Sequence, residues 1–306
     1  MFRRMSSVET AAPADLRRAV PVPAERTLLR ASGWAMILFA LLAVGLLAHL
    51  TLISTLAESR SQRLLFGQFR ADLAGGTAPV GQVDAHGKVL AQGTPVALIS
   101  IPALGLSQTI VEGTSSRALL EGPGHRRDTP LPGQQGVSVV YGRQAAYGGP
   151  FRDIERLQVG DEIVTTTGQG KATYEVVRIR RAGDRATALT DAKAGRLTLV
   201  TSSGSIFSSG SVLRVDADLV GHAQPTPQAV LRPGSLTAAE DPLASDPSGW
   251  LPLFGLLELA LLVGGLLVWA LRRWGRWHTW IVAVPVVLVL GVEISQQVVV
   301  VLPNLY

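Results

Sequence analysis

Leu197-Thr198-Leu199-Val200-Thr201 is an apolar, β-branched run, and Ser202-Ser203-Gly204 follows it directly. The pattern reads as a buried strand ending in small polar residues, a place where nucleophiles often sit. Ser202 is the candidate nucleophile. A hydroxyl attacks only when a neighbouring base takes its proton. His125, in the turn Gly122-Pro123-Gly124-His125, is the candidate base. The competing reading makes Ser202, Ser203 and Ser205 turn residues and His125 a structural side chain. The chain has no cysteine, which removes disulfides, thiolate metal sites and thiol nucleophiles together. Its 5 histidines show no HExxH or paired-ligand spacing, so neither a metal nor a cofactor is expected. A second set of ionisable groups, His49, Glu258 and Glu293, falls inside long apolar runs. A carboxylate in lipid is costly, so these groups are expected to be protonated, near water, or turned toward another helix.

Those runs explain the composition. The chain has 306 residues, 47% of them apolar and only 17% charged, with a net charge of +5. The charge flanks the apolar runs and shows no basic-aromatic repeat, so it reads as a topology signal and not as a nucleic-acid surface. Residues 1–33 form a basic cytoplasmic tail, and 34–56 have the length of a spanning helix. Residues 57–93 begin as a polar helix and continue as a Gly/Ala/Pro-rich lead-in. Residues 222–249 form a second linker. Residues 250–271 and 280–302 are further spans joined by a basic turn, 272–279, which carries Trp274, Trp277 and Trp280. The positive-inside rule places the N-terminus and this turn in the cytoplasm, with the intervening domain and residues 303–306 outside.

Between the spans the hydrophobic period becomes that of strands. Residues 96–101, 137–140, 162–166, 174–179, 197–201 and 212–219 are strand candidates separated by Gly, Pro and Asp turns. Thr167-Gly168-Gln169-Gly170 is a hairpin connection, and Pro150 to Leu157 supports two helical turns. Many short strands with small helices predict a closed or half-closed β barrel over residues 94–221. The expected fold class is mainly β, with three transmembrane α-helices.

The barrel region carries an ordered series of landmarks. They are Ile101-Pro102-Ala103-Leu104-Gly105-Leu106, Val111-Glu112-Gly113-Thr114, Leu119-Leu120-Glu121-Gly122-Pro123-Gly124-His125 and Thr129-Pro130-Leu131-Pro132-Gly133-Gln134. Tyr141-Gly142-Arg143, Gly149-Pro150-Phe151, Leu157-Gln158-Val159-Gly160-Asp161, Tyr174-Glu175-Val176, Leu197 to Ser202 and Val215-Asp216-Ala217-Asp218-Leu219 complete it. In this order they resemble the sortase family, the surface-anchoring transpeptidases of Gram-positive bacteria. The resemblance implies an eight-stranded barrel held at the membrane with its catalytic face outside the cell. It also implies a Cys nucleophile, a His acid-base and an Arg that stabilises the oxyanion or orients substrate. Matched motif by motif, the His position holds Arg143, the Cys position Ser202 and the Arg position Val212. Arg214, two residues further along the same strand face, is a substitute candidate. An arginine cannot accept the serine proton, so the matched site lacks its base.

The sequence therefore favours a catalytically inactive sortase-like membrane protein that serves a cell-envelope complex as a binding, scaffold or assembly subunit. Its partners would be other membrane or envelope proteins, with a peptide in the old substrate groove as a further candidate. Arg143, Arg214, Arg127 and Phe207 are the candidate docking residues. Two alternatives stand beside this reading. One is a serine-dependent transpeptidase or peptidase acting on exported proteins. The other is an accessory subunit of a channel or transporter that uses Glu258 and Glu293.

Overall fold

The computed structural model describes residue 45 and residues 54–185, 188–189, 191–205 and 208–305. The expected first span, 34–56, lies almost wholly outside these residues, as do His49 and Phe207. Helix α1 (Ser54–Gly75) leads into eight strands: β1 (Pro95–Ile101), β2 (Leu106–Glu112), β3 (Gly124–His125), β4 (Gly136–Tyr141), β5 (Glu162–Thr167), β6 (Gly170–Arg180), β7 (Gly195–Ser205) and β8 (Ser208–Val220). They close into one barrel in the order β1-β2-β3-β4-β7-β8-β6-β5. The β2–β3 and β4–β7 pairings are parallel, and the others are antiparallel.

Alternation along the strands fills the barrel. Ile99, Ile101, Ile110, Val140, Ile163, Tyr174, Leu197, Leu199, Leu213, Val215 and Ala217 meet in one buried cluster with Phe151. Residues between them on the same strands face outward. The β5–β6 hairpin closes through Gly168-Gln169, with Thr167 paired to Gly170. Between Pro150 and Leu157 only a single 3-10 turn forms, at Ile154–Arg156. Strands β2 and β3 escape a reading by periodicity. The first mixes polar and apolar residues without clean alternation, and the second has 2 residues. Strand β7 also runs past Ser202: the pairs Ser202↔Val212, Ser203↔Ser211 and Ser205↔Ser208 continue its ladder. Ser202, Ser203 and Ser205 are strand residues and not a turn, because β8 completes their backbone hydrogen bonds. A bulge at Ser203/Gly204, where Gly204 has φ 115°, absorbs the register shift.

A coat of non-barrel segments lies on the outside. Helix α1 packs Leu65 against Val111 and Ala118. Its Gln62 side chain accepts from Thr109 N at 2.7 Å and donates to Glu121 O at 2.7 Å. This amide passes so close to Gly122 (φ 153°) that a side chain there would collide with it. Residues 222–249 are a strap held to the barrel and not a free linker. Gln82 Oε1 accepts from Val230 N and Leu231 N, Asp128 accepts from Gly234 N, and Thr114 Oγ1 donates to Glu240 O at 2.7 Å.

Helices α2 (Trp250–Arg273) and α3 (Arg276–Val301) form a hairpin. Both are long and apolar enough to cross a membrane. Leu251, Leu261 and Trp277 are 82%, 78% and 82% exposed, which suits lipid and not water. Two such helices are the pattern of a multi-pass membrane protein. The free ends of the hairpin meet the barrel, where Val299 packs with Ala146 and Tyr147.

Candidate functional site

The site is built on the outer faces of β4, β7 and β8. In-register pairing puts Ser202 directly opposite Val212. Gly142 follows β4 and is tied to β7 twice: its N–H donates to Val200 O at 3.0 Å, and its carbonyl accepts from Thr201 Oγ1 at 2.8 Å. The Phe151 ring fills the space where a Cβ of residue 142 would lie. The three altered positions, Arg143, Ser202 and Val212, are thus brought to one place by neighbouring strands.

Their side chains do other work than catalysis. Arg143 is fully buried and donates to Leu119 O at 3.2 Å and Ser116 O at 2.9 Å, with its guanidinium 6.0 Å from the Tyr147 ring centre. Burial pushes its pKa down to about 10. It fastens the segment after β2 from inside and presents nothing to a ligand. Its expected role in a docking surface is therefore corrected.

Ser202 is 1% exposed. Its one hydroxyl hydrogen is shared between Gln144 Oε1 at 2.7 Å and Leu305 O at 3.1 Å. Gln144 Nε2 donates to Gly204 O at 3.0 Å, which fixes the amide so that its oxygen faces Ser202. An amide oxygen is no base at neutral pH, so among the described residues the serine proton has a resting place but no acceptor that could carry it away.

His125 does not supply that base. It lies on β3 against β4, two strands from β7 and so about 10 Å away across the sheet. It is completely buried. Nδ1 is 2.8 Å from Glu112 Oε2, and Nε2 is 2.9 Å from Pro130 O. Pro130 O can only accept, so Nε2 donates to it, and Nδ1 is paired with the Glu112 carboxyl. Burial opposes a charge on the ring, but Glu112 outweighs it and holds the pKa above the ordinary histidine value. With both ring nitrogens committed to Glu112 and Pro130, His125 is not placed to take a proton from Ser202.

The remaining docking candidates divide. Arg127 stands 3.5 Å from Glu240 and ties the strap to the barrel. Arg214 sits half-buried on the outer face of β8, opposite Val200, with no ion pair among the described residues. Glu258 lies roughly two turns into α2 from Trp250, and Glu293 roughly two turns before Val301, about 12 Å of rise in each case. Both are exposed on the hairpin and do not turn into it. Among the described residues no group of His, Asp and Glu could hold a metal ion.

A family model described as the sortase domain matches residues 99–215. The chain carries a sortase domain. Sortase D of Bacillus subtilis (strain 168) is 31% identical over 83 residues, a match that spans 27% of this chain and 40% of that relative's length. Among solved structures, a Clostridium perfringens sortase transpeptidase is 24% identical, covering 54% of this chain and 99% of its own, with a TM-score of 0.43. A sortase E variant of Streptomyces avermitilis is 30% identical, covering 48% and 100%, with a TM-score of 0.38. This sortase domain lacks the nucleophile that gives the family its chemistry, because the chain contains no cysteine.

Sequence reasoning missed the residues that now occupy the sortase domain's altered site. Gln144 and Leu305 make its contacts. Leu305 is fully buried against Leu119, Tyr141 and Val200, and Gln144 N donates to its carbonyl at 2.9 Å. Nothing local in the sequence signals this. The Ser202–Leu305 contact spans 103 positions, and a short polar-apolar segment after a span reads as an exposed end.

Proposed function

We propose that this protein is a catalytically inactive, sortase-like subunit that binds or scaffolds other proteins of a cell-envelope membrane complex. The observation that carries the reading is the state of Ser202. Its hydroxyl is buried, held by Gln144 and Leu305, and bonds to no base among the described residues. The barrel lies outside the cell, and the turn between α2 and α3 lies in the cytoplasm. The partners are membrane or envelope proteins that meet the outer barrel and the hairpin.

Glu258 and Glu293 support the membrane part of this proposal. Carboxyl groups exposed on apolar helices at matching depth are costly in lipid and become tolerable against a polar group of another helix. That favours association over transport by this chain alone. Two measurements test the proposal on the full chain. Mild-detergent purification followed by mass spectrometry should recover a defined set of membrane partners, and Glu258→Gln with Glu293→Gln should deplete it. Transpeptidation or cleavage of sorting-motif peptides that appears with the purified protein and vanishes in Ser202→Ala would overturn it.

A further inference from the structure

We infer that residues 302–305 form a removable lid on the outer face of β7, so that the position of α3 decides whether the altered site is covered or open. The inference rests on the proposed binding role and names how that site is regulated.

The lid is built from specific contacts. Leu305 supplies the apolar part, seated on Leu119, Tyr141 and Val200. Its carbonyl receives two donors, Ser202 Oγ and Gln144 N. Asn304 supplies the polar part: its Nδ2 donates to Thr114 O and Asp241 O at 2.9 Å each, and its N–H donates to Ala244 O at 2.8 Å. The lid therefore bridges the barrel and the strap. Only Leu302 and Pro303 separate Asn304 from the end of α3, so the lid cannot stay seated if that helix end moves by more than the slack of two residues.

Two backbone features fit a device with two states. Among the described non-glycine residues only Tyr147 (φ 52°) and Leu243 (φ 62°) have left-handed backbone, which side chains larger than glycine seldom adopt. Both support this junction. Tyr147 packs on Val299 at the end of α3, and Leu243 packs on the cluster that receives Leu305. The seated lid and helix offset their strain, and departure of the lid lets it relax. A membrane partner that shifts the hairpin would thereby open a face bearing Val200, Ser202, Gln144 and Tyr141.

The chain's lack of cysteine makes the test direct. Ser202→Cys gives a single thiol under the lid, and its labelling rate with a maleimide reads the cover in the full chain in detergent or nanodiscs. The parent Ser202→Cys protein should label slowly. Adding Leu305→Asp should speed labelling about tenfold or more, the scale expected from unseating one buried leucine. Asn304→Ala, which does not touch Ser202, and Val299→Asp, which unseats only the helix end, should do the same with smaller gains. Thermal melting by circular dichroism identifies any variant whose barrel has unfolded; if Leu305→Asp is one, Asn304→Ala decides. Labelling that stays at the parent rate in folded Leu305→Asp and Asn304→Ala proteins overturns the lid. Because the rate reports only the cover of residue 202, it can fail while partner binding stands, and partner binding can fail while it stands.

Discussion

The inside of the barrel and its coat are held by different forces. Inside, Leu197, Leu199, Leu213 and Val215 meet Ile99, Ile163 and Phe151, and apolar area does nearly all the work. Outside, single polar side chains grip backbone groups: Gln62 on Thr109, Gln82 on Val230 and Leu231, Arg143 on Leu119 and Ser116, and Asn304 on Thr114 and Asp241. Strand β7 belongs to both regions, because Leu199 points inward while Val200 and Ser202 point out. Apolar packing tolerates exchange among residues of similar volume, whereas a hydrogen bond to one carbonyl depends on one side chain. The barrel core therefore does not depend on which side chains occupy the outer face.

Substitutions in the two regions should differ in size and in where they act. The largest effect belongs inside: Leu199→Ala should cost about 2–5 kcal/mol of global stability, read from denaturant unfolding of the full chain in detergent. An effect below that range would mean that the barrel relies on its coat. Next comes Arg143→Met, which leaves two carbonyls without their buried donor and should cost about 2–3 kcal/mol. Hydrogen exchange should rise first at residues 116–120 and only then in the strands.

A pH dependence should mark the docking of α1. Burial pushes the Glu58 carboxyl on α1 up to about 7, against the pull of its hydrogen bonds with Ser59 and Gln108. Folded Glu58 therefore keeps its proton where the unfolded carboxyl, near 4.5, has already lost it. Docking of α1 should weaken as pH rises from about 4.5 to about 7 and then level off. Glu58→Gln should flatten that slope in hydrogen exchange of α1, and an unchanged slope would assign the effect to another group. The smallest change expected is Ser202→Ala. Its loss should be about 0.5–1.5 kcal/mol, one ordinary hydrogen bond, seen as faster exchange at residues 302–305 with the barrel's melting midpoint nearly unmoved.

How much of this was legible in the sequence follows the same division. Six of the eight strands showed themselves by alternation or β-branched runs, and the two apolar helices by length. Strand β3 could not, since two residues carry no period. The altered positions Arg143, Ser202 and Val212 were found from motif order, and β4, β7 and β8 bring them together. Their present roles were not legible. A buried arginine and a solvated one are the same letter, and Arg143 and Arg127 became fasteners only once Leu119 O, Ser116 O and Glu240 lay beside them.

By itself, then, the sequence determined the barrel, the apolar hairpin and the absence of thiol chemistry. Periodicity, length and composition are local properties that survive without coordinates. Tertiary structure decided what covers Ser202. Leu305 reaches it from 103 positions away, by a route that needs the strap laid on the barrel and the end of α3 packed on Tyr147. No local pattern encodes a contact of that span, because its stability comes from closing many segments on one face at once.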